Sequence, residues 1–253
     1  MKSIAIGVGE NKAVLKAVDI FLAENSNVEI KLIDNDDDIV KSILDNEIDG
    51  VVRGSLKASG VMKKLNNEFK FISRATYVNG DDYEFLLAPV GIDEGKTLND
   101  KLKTSIMCGN FLKKLSKTPK VAVLAGGRKG DYGRSAKISK SIDNAWKLCE
   151  LIENNTDFEV KNYYILVEQA IKDKCNIIIA PDGIIGNIIF RTLVLLDDWP
   201  SNGAITFGIN SIYIDTSRDQ NTTGYLRSLK LAYKLAKDRK STRLNSSHPA
   251  GSR

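Results

Sequence analysis

This chain of 253 residues has almost no histidine, few cysteines and few aromatic side chains, and each shortage removes a class of function. The one histidine, His248, stands in a terminal segment that reads as foreign to the protein. One back-translation of Asp238 to His248, DRKSTRLNSSH, resembles a common sequencing-adapter oligonucleotide. Residues 238–253 are therefore expected to be adapter-derived, with the native C-terminus missing beyond Lys237, and are set aside from fold reasoning. Without them, Ser-His and Cys-His nucleophile pairs and histidine metal sites have no histidine to use. No zinc-type ligand set, phosphate-binding P-loop or nucleophile elbow is present either, so no metal is expected.

The three cysteines, Cys108, Cys149 and Cys175, lie far apart with no CxxC spacing, which predicts reduced thiols and a cytoplasmic protein. No apolar run approaches the roughly 18 residues needed to span a bilayer, so no membrane partner is expected. The start, MKSIAIGVGEN, enters strand-like sequence directly, without the apolar segment and cleavage site of a signal peptide. The formal charge of +5 loses four cations and one acid with the tail, leaving about +2, which removes the main support for a nucleic-acid surface. The composition that remains, 42% hydrophobic and 27% charged, is that of a globular protein long enough for one large or two small α/β domains.

Strand-like and helix-like runs alternate along the chain. Strands are predicted at 4–8, 28–33, 50–52, 71–78, 84–88, 121–124, 177–180, 204–207 and 211–214. Helices are predicted at 12–23, 37–44, 57–69, 98–115, 139–153, from the Pro181-Asp182-Gly183 turn to about 196, and 223–237. Such alternation predicts an α/β fold of mostly parallel sheets covered by helices. The polar stretch Asn79–Asp82 is the candidate hinge, dividing residues 1–82 plus 215–237 from 83–214.

Five segments at predicted strand ends carry the candidate chemistry, where open α/β sheets bind ligands. Gly7-Val8-Gly9 holds two glycines of a dinucleotide fingerprint, with Lys12 in the place of the third, and Asp34 could accept ribose hydroxyls; glycine in such a turn also has a purely steric reading. Arg53-Gly54-Ser55-Leu56-Lys57-Ala58-Ser59 gathers hydroxyls and two cations at a helix start, as an anion site or a plain cap. Gly126-Gly127-Arg128-Lys129-Gly130-Asp131-Tyr132-Gly133-Arg134 lets the backbone approach a ligand beside cations suited to phosphate. In Asn176–Thr192, NIIIAPDGIIGNIIFRT, Asp182 is either a ligand acceptor or a helix cap. The fifth is Asp215-Thr216-Ser217-Arg218, with Asp219 behind it. Their shared placement implies a phosphorylated small-molecule ligand held by Arg, Lys and Ser.

Three of these segments resemble the phosphate acetyl/butyryltransferase and phosphate acyltransferase superfamily. IDGVVRGSLKASGVMKKLNNEF (48–69) looks like its strand–Gly–Ser/Thr–helix element. PDGIIGNIIFRT looks like its Pro-Asp-Gly-Asn motif, and GAITFGINSIYIDTSR (203–218) like its closing strand and Asp-x-Ser-Arg turn. Within that superfamily the GGRKGDYGR loop looks most like the methanogenesis marker protein 4, or MtxX, group of methanogenic archaea, whose members carry a methyltransferase-related name. The resemblance implies two subdomains around a cleft, as in isocitrate-dehydrogenase-like folds, a homodimer, and coenzyme A or an acyl thioester as co-substrate. It implies Ser217 and Arg218 on the acyl-phosphate oxygens, with Asp219 or Asp182 as base. Arg53, Ser55, Lys57, Ser59, Lys64, Gly126, Gly127, Arg128, Arg134, Asp182, Asn187 and Asp215 are the expected ligand-binding residues. Two departures stand out. Gly224 occupies the place of the family's proposed general base, and Lys64 replaces an arginine, losing the bidentate fork. The readings left open are a phosphate acyltransferase-like enzyme, a methyltransferase or its subunit using S-adenosylmethionine or a corrinoid partner, and a non-catalytic ligand-binding regulator.

Overall fold

The computed structural model describes residues 1–45 and 48–245, with side chains to residue 239. His248 and the rest of the suspected tail beyond residue 245 lie outside the described residues. The chain divides into two compact units, residues 1–70 with 208 onward, and Phe71–Phe207. The division falls at 70/71 and 207/208, rather than at the expected 82/83 and 214/215, and pairing explains both shifts. The strand Ser73–Asn79 is hydrogen-bonded to Glu84–Ala88 and Ser201–Phe207, whereas Tyr213–Asp215 is paired with Gly50–Val52.

In unit 1, strands β1 (Lys2–Gly7), β2 (Val28–Ile33), β3 (Gly50–Val52) and β10 (Tyr213–Asp215) form a parallel sheet in the order β2-β1-β3-β10. Ile4, Ala5, Ile6, Val51, Val52 and Ile214 have no exposed surface, as expected for parallel strands covered on both faces. Helix α1 (Ala13–Glu24) packs against α8 (Thr222–Asn245), with Phe21 edge-on to Tyr233 at 5.7 Å. Helix α2 (Asp36–Leu44) packs against α3 (Ala58–Glu68). Asn35 caps α2 by accepting from the Asp38 N–H at 2.9 Å, and Asp36, Asp37 and Asp38 fill its first turn, where the helix dipole favours acids.

Unit 2 contains β4 (Ser73–Asn79), β5 (Glu84–Ala88), β6 (Lys120–Leu124), β7 (Glu159–Tyr164), β8 (Ile177–Ile179) and β9 (Ser201–Phe207), ordered β9-β4-β5-β8-β6-β7. β4 runs antiparallel to both neighbours; the rest are parallel. The covering helices are α4 (Leu98–Lys114), α5 (Ala136–Asn155), α6 (Val167–Lys172) and α7 (Gly183–Phe190), the last continuing into a π-helical turn at Arg191–Leu196. Phe85, Leu87, Leu124 and Ile178 form the core, under Trp199 stacked on Tyr83 at 4.1 Å. No described helix is long and apolar enough to cross a membrane.

Two elements have no counterpart in the sequence reading, β7 and α6. β7 is an edge strand, EVKNYY, that buries only Asn162 and Tyr163, so its apolar signal is weak. α6 is only six residues long.

Candidate functional site

All four strands of unit 1 are parallel, so the segments after β1, β2, β3 and β10 emerge at one end of its sheet. Two turns there interlock. The Gly9 N–H donates to Ser55 Oγ at 2.8 Å and the Ser55 N–H to the Gly7 carbonyl at 3.1 Å. A Cβ on Gly9 would collide with the Ser55 carbonyl, and one on Gly54 with that of Gly7; Gly54 also has φ +62°. The glycines of the GxG turn are thus required by backbone against backbone.

Arg53 and Asp215, both expected at the ligand, form a buried ion pair, and Arg53 Nη1 also donates to the Leu56 carbonyl. Their exposures of 4% and 7% make this pair the bolt joining β3 to β10. Thr216 Oγ1 extends the joint by donating to the Gly54 carbonyl at 2.7 Å.

The turn beyond β10 is held from two sides. Asn11 Nδ2 donates to the carbonyls of Arg218 and Gln220, both at 2.9 Å. The Tyr225 hydroxyl donates to the Arg218 carbonyl at 2.9 Å and the Ser217 carbonyl at 3.2 Å. Burial pushes the Tyr225 hydroxyl up to about 12, so it stays a neutral donor at physiological pH. Ser217 Oγ accepts the Asp219 N–H at 3.2 Å, leaving its own proton free for another acceptor. The Arg218 side chain is 59% exposed, with Nε 3.9 Å from the Asp219 carboxylate. Gly224 lies in the first turn of α8, where a Cβ would overlap the Gln220 side-chain amide. A general base at that position would displace Gln220.

A cavity of about 730 Å³ opens at this end of the sheet. Lys57, Lys64 and Arg218 line it, with Ser55, Asp34 and Asp219 among their neighbours. Lys64 is held by Asp37 at 2.6 Å, whereas Lys57 and Arg218 remain exposed. Ser59 stands on the first turn of α3, outside the lining. The volume falls within the range of small-molecule sites.

In unit 2 the GGRKGDYGR loop follows β6 and is ordered by Asp131. Its carboxylate accepts the Arg128 N–H at 2.8 Å and pairs with Arg134 Nη1 at 2.8 Å. The Arg134 guanidinium, then the Arg128 amide, hold the Asp131 carboxyl below its ordinary value. Ser141 accepts from the Gly126 N–H and Ser139 from the Gly133 N–H, at 2.8 and 2.9 Å. Gly127 is buried in the loop, and Arg128 is exposed. The loop is therefore ordered by bonds within itself and to the start of α5.

Asp182 ends the segment after β8 and caps α7, accepting the Ile185 N–H at 2.9 Å. Asn187 Nδ2 donates to the Val90 carbonyl at 2.9 Å. A Cβ on Gly183 would overlap the Gly91 carbonyl, and one on Gly186 the Pro89 carbonyl. The Pro-Asp-Gly-Asn segment is thus a close-packed joint between α7 and the chain after β5. Sequence reading missed Lys101 beside it, 7% exposed, with Nζ donating to the Pro181 carbonyl at 2.9 Å. Burial pushes its ammonium below the ordinary value, against the pull of the Asp182 charge. The available signal was a lysine in register with the buried α4 positions Thr104, Ser105, Cys108 and Leu112. Among the described residues, no cluster of His, Cys, Asp or Glu is arranged to hold a metal ion.

The chain matches no protein-family model. It is 41% identical over 238 residues to an uncharacterized methyltransferase of Methanocaldococcus jannaschii, covering 89% of this chain and 95% of that one. It is 36% identical over 197 residues to a Methanosarcina barkeri protein named as a methyltransferase mtx subunit X, covering 75% of this chain and 72% of the relative. Among solved structures it is similar to a branched-chain phosphotransacylase from Enterococcus faecalis, with TM-score 0.75, 15% identity, and 93% and 99% of the two chains covered. A phosphotransacetylase from Streptococcus pyogenes matches with TM-score 0.65, 15% identity and 94% of each chain. An isocitrate dehydrogenase from Methylococcus capsulatus matches with TM-score 0.61, 10% identity, and 96% and 88% covered. At these identities the structural likeness is one of fold.

Proposed function

This chain belongs to the family of methanogen proteins named methyltransferase mtx subunit X, and from that premise we propose that it binds a phosphorylated small molecule in the unit 1 cavity. The observation that carries this reading is the pair Lys57 and Arg218, two exposed cations on one cavity at a sheet's carboxyl end. Arg218 offers a planar fork suited to phosphate oxygens, and the free Ser217 proton adds a donor on the same turn.

The chemistry this arrangement favours is acyl transfer between phosphate and a thiol such as that of coenzyme A. A thiolate attacks the carbonyl carbon of an acyl phosphate, forming the C–S bond; the C–O bond to phosphate then breaks and inorganic phosphate leaves. Arg218 and Ser217 stabilise charge developing on the phosphate oxygens. Asp219, 60% exposed on the adjacent residue, is the base that takes the thiol proton. Asp182 is the weaker base, because its carboxylate is already engaged in capping α7. The phosphotransacylase neighbours share the fold and lend this reaction class its precedent. Arg218→Ala is expected to weaken acetyl phosphate binding at least about tenfold in calorimetric titration, the scale of a lost charge-assisted hydrogen bond. A loss of no more than twofold removes Arg218 from the site.

A methyl-transfer reading draws on the relatives' names and on Asp34 and Gly9 lining the same cavity. The space at Gly9 is filled by the Ser55 backbone, so the GxG turn has a steric reason independent of any cofactor. Thermal shift separates the two: stabilisation by coenzyme A and phosphate supports the first, by S-adenosylmethionine the second. Binding of either without turnover supports a regulator, consistent with Gly224 in the place of a base. A cytoplasmic homodimer completes the proposal. It is supported by the exposed Ile184 and Ile188, one turn apart on α7, and by Leu196 beyond them, 80% exposed.

A further inference from the structure

The charge of the unit 1 cavity is divided, and the division bears on what accompanies the phosphate. Its lining holds five carboxylates and three cations, so it presents both anion-binding and donor-accepting surface. Two of the acids are answered locally. Asp37 is paired with Lys64 at 2.6 Å, and the Asp36 carboxylate lies against Gly60 in the first turn of α3, where the helix dipole offsets its charge. Lys57, just before α3, and Arg218, in the turn after β10, line it as well.

Asp34 follows β2 at the far edge of the same sheet. Two strand spacings, about 10 Å, separate the ends of β2 and β3. The Asp34 side chain is exposed, and its one hydrogen bond, from Asn35 Nδ2 at 3.1 Å, leaves most of the carboxylate's acceptor capacity unused. An ionised carboxylate only accepts, so it selects a donor-bearing group. Asp34 and the two cations thus line one cavity from the ends of different strands.

We propose that the unit 1 cavity takes a monophosphate ester of a sugar or sugar-like molecule, with Lys57 and Arg218 on the phosphate and Asp34 accepting from adjacent hydroxyls. This rests on the phosphate-binding reading above and not on the acyl-transfer step. The geometry predicts a ligand that is anionic at one end and hydroxyl-bearing at the other.

The test is calorimetric titration of the full chain with ribose 5-phosphate, 2-deoxyribose 5-phosphate and inorganic phosphate. Ribose 5-phosphate is expected to bind about tenfold or more tightly than its deoxy analogue, the scale of a hydrogen bond to a charged acceptor. Asp34→Ala is expected to abolish that preference while leaving phosphate affinity within about twofold. Because Asp34 is exposed, the variant's unliganded melting temperature serves as the folding control. Equal binding of the two sugar phosphates overturns the inference while leaving the phosphate reading intact, even without the variant. A preference that survives Asp34→Ala overturns it as well. Failure of all three ligands to bind overturns the phosphate reading and the inference with it.

Discussion

Replacing Arg53 by methionine tests whether the residues expected at the ligand are scaffold instead. Arg53 and Asp215 are 4% and 7% exposed and paired across 162 residues of sequence. Methionine keeps much of the side-chain volume but removes the charge that faces the Asp215 carboxylate in a buried joint. Breaking a buried pair from one side costs about 3–5 kcal/mol, and the donor lost to the Leu56 carbonyl adds about 1 kcal/mol. At about 2–4 °C per kcal/mol for a chain of this size, the melting temperature falls by roughly 10 °C or more. Circular dichroism melts and urea titrations of wild type, Arg53→Met, Asp215→Leu and the double variant measure it. The double variant is expected to recover most of the loss, because an apolar replacement of both partners strands no charge. A single variant destabilised by less than about 1 kcal/mol, yet deficient in ligand binding, would refute the scaffold assignment.

Gly186→Ala is expected to destabilise the protein by more than about 2 kcal/mol, because its methyl overlaps the Pro89 carbonyl; a urea midpoint unchanged from wild type removes the close-packed joint from the account. Ile188→Glu places a charge on the exposed apolar face of α7. A dimer seen by light scattering for wild type is expected to become monomeric, and an oligomeric state identical in both proteins excludes this face as the interface.

Much of the fold was legible because its signals are local. The apolar run before Pro181-Asp182-Gly183 reads as a covered strand, and β8 is indeed fully buried. Asp36-Asp37-Asp38 reads as a helix start, and α2 begins there. Other features had no local signal. β7 carries little apolar pattern because it is an edge, and Lys101 is buried by elements distant in sequence. Asp182 reads as cap or ligand acceptor in the sequence, and the cap is formed, with the Ile185 N–H at 2.9 Å.

Sequence by itself determined the alternation of strands and helices and the turns at the strand ends, since periodicity and turn residues act over a few positions. Tertiary structure alone decided which charges are free. Arg53 and Asp215 bear the same chemistry in sequence as Arg218 and Asp34, but strand order buries the first two against each other and leaves the last two on a cavity. Burial and partnership depend on which strands become neighbours, and residues separated by 162 positions carry no mark of that pairing.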